Sequence, residues 1–136
     1  MISTQAEDYL KCIYILQENG ARVRNSLIAQ YLGVSPATVT EMLQKLSKNR
    51  LIDYKPYSEV KLTDKGLKLA EKLIWKHRII ECFLRDILGY EDLNKIHLEA
   101  CRLEHATSEE FILRLCKILN NPEVCPHGKK IPKIEK

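Results

Sequence analysis

The sequence predicts a mainly α-helical chain: an N-terminal winged helix-turn-helix followed by an all-helical region. Three observations carry this expectation. Most of the 136 residues fall into amphipathic stretches with apolar positions every three to four residues. Two of these stretches are short and meet at Gly33. The period shortens to two only over residues 51–62, directly after them.

Taken in order, residues 4–18 (TQAEDYLKCIYILQE) read as a helix that Thr4 caps, with Glu7 three residues on. Leu10, Ile13, Tyr14 and Gln17 fall on neighbouring faces, and Asn19-Gly20 ends it. Ser26 is the expected cap of a short helix over Leu27–Leu32, stopped by Gly33. Ser35-Pro36 opens the next, because serine offers a capping oxygen and proline suits the first turn. It runs to about Asn49 with Val39, Met42, Leu43 and Leu46 as its buried stripe. LIDYKP and EVKLT form a small hairpin around Pro56-Tyr57-Ser58. A long helix starts at Thr63 or Asp64 and reaches about Leu88, closed by Gly89. Two more follow, over Asp92–His105 and Ser108–Asn120, and then a loop-like basic tail.

Composition narrows the class. A hydrophobic fraction of 45% and a charged fraction of 29% suit a globular chain. No apolar run approaches the roughly 18 residues of a membrane span, and the start lacks a secretion signal. Five scattered cysteines fit a reduced, cytoplasmic setting. There is no Gly-rich phosphate loop, no GxSxG and no HExxH, so the commonest enzyme signatures are missing and no catalysis is expected. Net charge is 22 − 18 = +4, which permits nucleic-acid binding without requiring it.

The two short helices and the hairpin form a DNA-reading unit. Ala29 is small where the helices cross, and Gly33 tolerates the backbone of the turn. The outward positions of the second helix include Ser35, Ala37, Thr38, Thr40, Glu41, Gln44, Lys45 and Lys48. Hydroxyls there suit phosphates or bases, Ala37 a thymine methyl, and Gln44 an adenine. Residues 35–66 hold six basic and four acidic side chains, so a reader of only +2 is expected to act as two copies on double-stranded DNA. The competing reading is a winged helix that binds protein instead.

The second half carries a sharper signal. In HLEACRLEH, His97, Cys101, Glu104 and His105 stand at i, i+4, i+7 and i+8, within one helical arc of about 100°. A thiolate, a carboxylate and two imidazoles on one stripe suit a first-row transition metal. On the long helix, Leu67, Ala70, Leu73, Ile74, Ile80, Leu84 and Leu88 define an apolar stripe, with His77 and Glu81 in its middle. Unpaired polar groups there are costly, so ligation is the favoured reading of this pair. Trp75, Ile79 and Phe83 mark a second apolar side, expected to be buried against a partner copy in a homodimer. Asp8 on the first helix reads by itself as an exposed first-turn carboxylate.

These residues resemble the diphtheria-toxin-repressor family of iron- and manganese-dependent transcriptional regulators. The resemblance rests on EDYL (7–10), SPATVTEMLQKL (35–46), LTDKG (62–66), KHRIIE (76–81), HLEACRLEH (97–105) and CPHG (125–128). It implies a winged-helix DNA-binding domain over residues 1–66, a helical metal-binding and dimerisation domain over 67–125, and a basic tail over 126–136. It also implies a homodimer on a palindromic operator, activated by Fe(II) or Mn(II) and repressing metal-uptake genes, with Zn(II), Ni(II) or Co(II) as substitutes in vitro. One site would use Asp8, Cys101, Glu104 and His105; the other would use His77, Glu81 and His97. DNA contacts would fall on Ser35, Ala37, Thr38, Thr40 and Glu41, with Tyr57 near the wing tip. Iron-responsive members pair Met with Cys at the positions of Asp8 and Cys101, and manganese-responsive members pair Asp with a carboxylate; this chain mixes the two. Lys11 stands where the manganese branch has a carboxylate, which argues against a closely bridged two-metal site. The SH3-like C-terminal domain of longer members is expected to be missing, and Cys125 and His127 to be structural loop residues. No small organic ligand is expected. The competing readings are a metal-independent regulator with a structural His/Cys/Glu stripe, and a metalloenzyme.

Overall fold

The computed structural model describes residues 2–134. These hold six helices and one two-stranded antiparallel sheet, and divide into two compact units at Glu71/Lys72.

In the first unit α1 spans Thr4–Glu18. Its cap is Ser3, not Thr4: the Ser3 hydroxyl accepts from the Ala6 N–H at 3.1 Å. Ala6, Tyr9, Leu10, Ile13 and Leu16 are buried, the spacing of a single apolar stripe. α2 (Asn25–Leu32) begins two residues earlier than Ser26 would allow as a cap. Ser26 therefore lies inside the first turn, and Arg24 occupies the cap position without a side-chain bond. Gly33 ends α2 at φ +69, a left-handed conformation that suits glycine. α3 (Pro36–Lys48) opens as its sequence demands, the Ser35 hydroxyl accepting from the Thr38 N–H at 3.1 Å. Val39, Leu43 and Leu46 are buried, while Met42 is half-buried.

β1 (Ile52–Asp53) and β2 (Lys61–Leu62) pair Ile52 with Leu62 and Asp53 with Lys61 to form the wing. The turn closes through Ser58, whose N–H and hydroxyl both donate to the Lys55 carbonyl. At the wing tip Tyr57 is 99% exposed with φ +64. The Val60 N–H donates to the Val23 carbonyl at 2.7 Å, fastening the wing to the segment before α2. Leu10, Ile13, Ile28, Leu43, Leu46 and Leu51 are the fully buried large residues of this core.

α4 (Asp64–Asp86) begins in the first unit and ends in the second. Gly66 lies so close to Leu51 that an added Cβ would stand 1.9 Å from the Leu51 carbonyl oxygen. The second unit adds α5 (Leu93–Glu104), capped by Asp92, and α6 (Glu109–Ile118), capped by Ser108. Its core gathers Trp75, Ile79, Ile80, Leu84, Ile96 and Ile112. Two expectations need correction. Leu67, near the start of α4, is exposed, and α4 ends at Asp86, so Leu88 lies exposed beyond the helix. Trp75 and Ile79 are only 6% and 1% exposed within one chain, with Phe83 packed against the same core, so they do not form a free partner face. The tail is also more ordered than a loop: Val124 and Lys130 form a β-bridge, Ile131 is buried, and the Arg78 guanidinium donates to the Lys130 carbonyl.

Candidate metal centre and nucleic-acid interface

Glu81 is the focus of the second unit. It lies one turn after His77 on α4, and both are buried, at 2% and 6% exposure. Its Oε2 lies 3.3 Å from His77 Nε2, 3.1 Å from His127 Nδ1 and 3.9 Å from His97 Nδ1. Yet this oxygen is buried and accepts no hydrogen bond of acceptable geometry. An orphaned carboxylate oxygen ringed by imidazole nitrogens is costly as a purely structural feature. Donors shared by one ion at 2.0–2.3 Å stand about 3 to 4 Å from each other, the separation found here. The residues present fit a divalent cation.

Two groups of donors within 4.8 Å of one another occur among the described residues: His77, His97 and Cys101, and Glu81, Cys125 and His127. The structure thus brings together His77, Glu81 and His97, as expected, and sets Cys101 beside His97, with its sulfur 3.6 Å from His97 Nε2. Glu104 is fully buried and reaches the other face of His77, Oε1 to Nδ1 at 2.8 Å. His105 is the C-cap residue of α5 and belongs to neither group. Cys125 and His127 are functional candidates that sequence periodicity misses, since they lie in the tail. The signal was the C-x-H spacing in CPHG, read there as a loop.

Burial alone would raise the Glu81 carboxyl, but the imidazoles of His77 and His97 and the charges of His77 and His127 outweigh it and lower it to about 2. His97 is pushed up to about 9, by Cys101 first and Glu81 second, against its partial burial. Cys82 is the contrast: burial pushes this thiol up to about 12 and leaves it unreactive.

In the first unit Ser35, Ala37, Thr38, Glu41, Gln44 and Lys45 are all exposed along α3. Thr40 is half-buried, and its hydroxyl is engaged by Pro36 and Asn25. A trough of about 480 Å³ between α3 and the wing is lined by Asn25, Thr40, Gln44, Tyr54 and Tyr57 among others. Asp8 is half-buried and lines a cleft of about 290 Å³ with Thr38, Glu41, Met42 and Lys45 of α3.

An HTH-type transcriptional regulator of Methanocaldococcus jannaschii is 38% identical over 115 residues, covering 84% of this chain and 91% of the relative. The iron-dependent repressor IdeR of Mycobacterium tuberculosis is 38% identical over 126 residues, covering 93% of this chain and 54% of its own length. The chain therefore spans about half of IdeR. The solved structure of the manganese regulator SloR superposes with a TM-score of 0.83 at 45% identity, covering 94% of this chain and 59% of SloR. Residues 1–60 match the N-terminal DNA-binding domain of the iron dependent repressors and residues 63–133 their metal-binding and dimerisation domain, so the chain belongs to the iron-dependent repressor family.

Proposed function

We propose that the chain is a metal-activated transcriptional repressor that binds a palindromic operator as a homodimer and turns down metal-uptake genes. The observation that carries this reading is the buried Glu81 oxygen ringed by three histidines in the unit that matches the metal-binding domain. A divalent cation, when bound, supplies the positive centre that this donor set lacks. His77, Glu81, His97 and His127 would hold it, with Cys125 as a further donor. Cys101, Glu104 and His105 are proposed as the second set, and Asp8 is proposed as a carboxylate on which the coupling of cation to operator depends.

His77 pairs through Nδ1 with Glu104 of the second proposed set. If Nε2 were to hold the cation, Nδ1 would keep its proton, donate to Glu104 and orient that carboxylate. Thiolate and imidazole donors soften the site, which favours Fe(II) modestly over Mn(II) and admits Zn(II), Ni(II) and Co(II) in vitro. Ser35, Ala37, Thr38, Glu41, Gln44, Lys45 and Tyr57 are proposed to face double-stranded DNA.

The reading is tested on a duplex selected from a random pool by the Mn(II)-loaded protein. Binding should tighten at least about tenfold with Fe(II) or Mn(II) over chelator, a typical coupling between sites. Equal affinity in chelator would support the metal-independent reading instead.

A further inference from the structure

Asn25 is the first residue of α2, and its side-chain amide reaches across to the recognition helix. Nδ2 donates to Thr40 Oγ1 at 2.7 Å and to the Pro36 carbonyl at 3.2 Å. Thr40 Oγ1 in turn donates to the same Pro36 carbonyl at 3.0 Å. A threonine hydroxyl has one proton and two lone pairs. Here the proton is committed to Pro36 and one lone pair to Asn25. The hydroxyl has no donor left for a phosphate, and it sits in a half-buried position where its neighbours Thr38 and Glu41 are exposed. The same short segment also holds the wing, through the Val23 carbonyl and the Val60 N–H at 2.7 Å. Residues 23–25 thus tie the two parts that flank the trough: the wing by main chain, the recognition helix by the Asn25 amide.

We infer that Asn25 is a positioning residue for operator recognition, acting through Thr40, and that Thr40 serves this brace and does not itself read DNA. A base-reading helix must be held within fractions of an ångström and a few degrees to keep its side chains in register with base edges. Phosphate attraction is far more tolerant of such shifts. Loss of the brace should therefore lower specific binding and leave general DNA attraction intact. Both groups lie on one network, so their effects should not add.

The inference rests on the reading of α3 as the DNA-reading helix. Its test is a double-mutant cycle on the full chain with Mn(II), measured on the selected operator and on a random duplex at several salt concentrations. Asn25→Ala and Thr40→Val should each weaken operator binding by roughly tenfold, the scale of a single hydrogen-bonded contact. The double variant should lose the same tenfold and no more. Thr40→Ser, which keeps the oxygen, should match the parent, and it keeps the test open should Thr40→Val fail to fold. Random-duplex affinity and its salt slope should stay unchanged throughout. Additive losses, an unchanged operator affinity in Asn25→Ala, or a fall on random DNA with a shallower salt slope would each overturn the inference. A parent chain that does not prefer its operator overturns the DNA-reading proposal as well, so the two failures are distinguishable.

Discussion

The chemistry of this protein is concentrated in one carboxylate oxygen. Glu81 Oε2 is buried and surrounded by imidazole nitrogens from α4, α5 and the tail. His127 is the nearest of these, at 3.1 Å, although nothing in helical periodicity points to it. His77, Glu81 and His97 were legible as candidate ligands because they interrupt or line helical stripes. Cys125 and His127 were not, because a loop has no period against which a ligand stands out. His127→Ala is expected to weaken Mn(II) binding by at least about tenfold, the loss that even outer-sphere partners of a metal cause. Calorimetric titration checks this, and unchanged affinity would remove His127 from the site. The titration of His97 gives a second expectation. Its imidazole sits at about 9, raised from 6.5 chiefly by Cys101. A raised imidazole stabilises the folded, cation-free chain fully below pH 6.5, and that contribution is lost as pH rises through 9. Urea unfolding of chelated protein should therefore show His97→Gln destabilising the chain at pH 6 and having much less effect at pH 9.5. An equal effect at both values would mean that the ring carries no such shift.

At the scale of the elements, most of the helices were legible from caps and periodicity. The start of α3 at Ser35-Pro36 and the turn at Gly33 follow directly from their backbone chemistry. The starts of α1 and α2 were less so. Adjacent Ser3 and Thr4 compete for one cap, and α2 begins without any side-chain cap, so no local signal marks Asn25. Trp75 and Ile79 show a different limit: an apolar helix face says that it is covered and not by what. Here α5, α6 and the tail contribute to the same core within one chain. At the entry to α4, Gly66 abuts the Leu51 carbonyl and leaves no room for a side chain. Gly66→Ala should destabilise the first unit by about 1–3 kcal/mol or more, the cost of forcing a carbon into packed backbone. Chemical denaturation measures it, and a neutral result would show that Leu51 can move aside.

For the whole molecule, what matters is the linkage between cation and operator. The DNA-reading unit carries Asp8 and the exposed face of α3, and the two share one cleft with Thr38, Glu41 and Lys45. The second unit carries the two donor groups. One chain with both functions needs only an arrangement that satisfies the donors and the DNA together; each ligand then favours the arrangement that the other prefers. Thermodynamics requires the coupling to be reciprocal, the operator raising cation affinity by the factor with which the cation raises operator affinity. The most direct measurement is that closed cycle: operator affinity with Mn(II) and in chelator, and Mn(II) affinity with and without operator, in the parent chain and in Asp8→Ala. Equal factors of at least about tenfold are expected on both sides of the parent cycle. In Asp8→Ala, Mn(II) binding should be retained with the factor falling towards one. A parent factor near one would contradict metal activation, and an undiminished factor in Asp8→Ala would contradict the role proposed for that carboxylate.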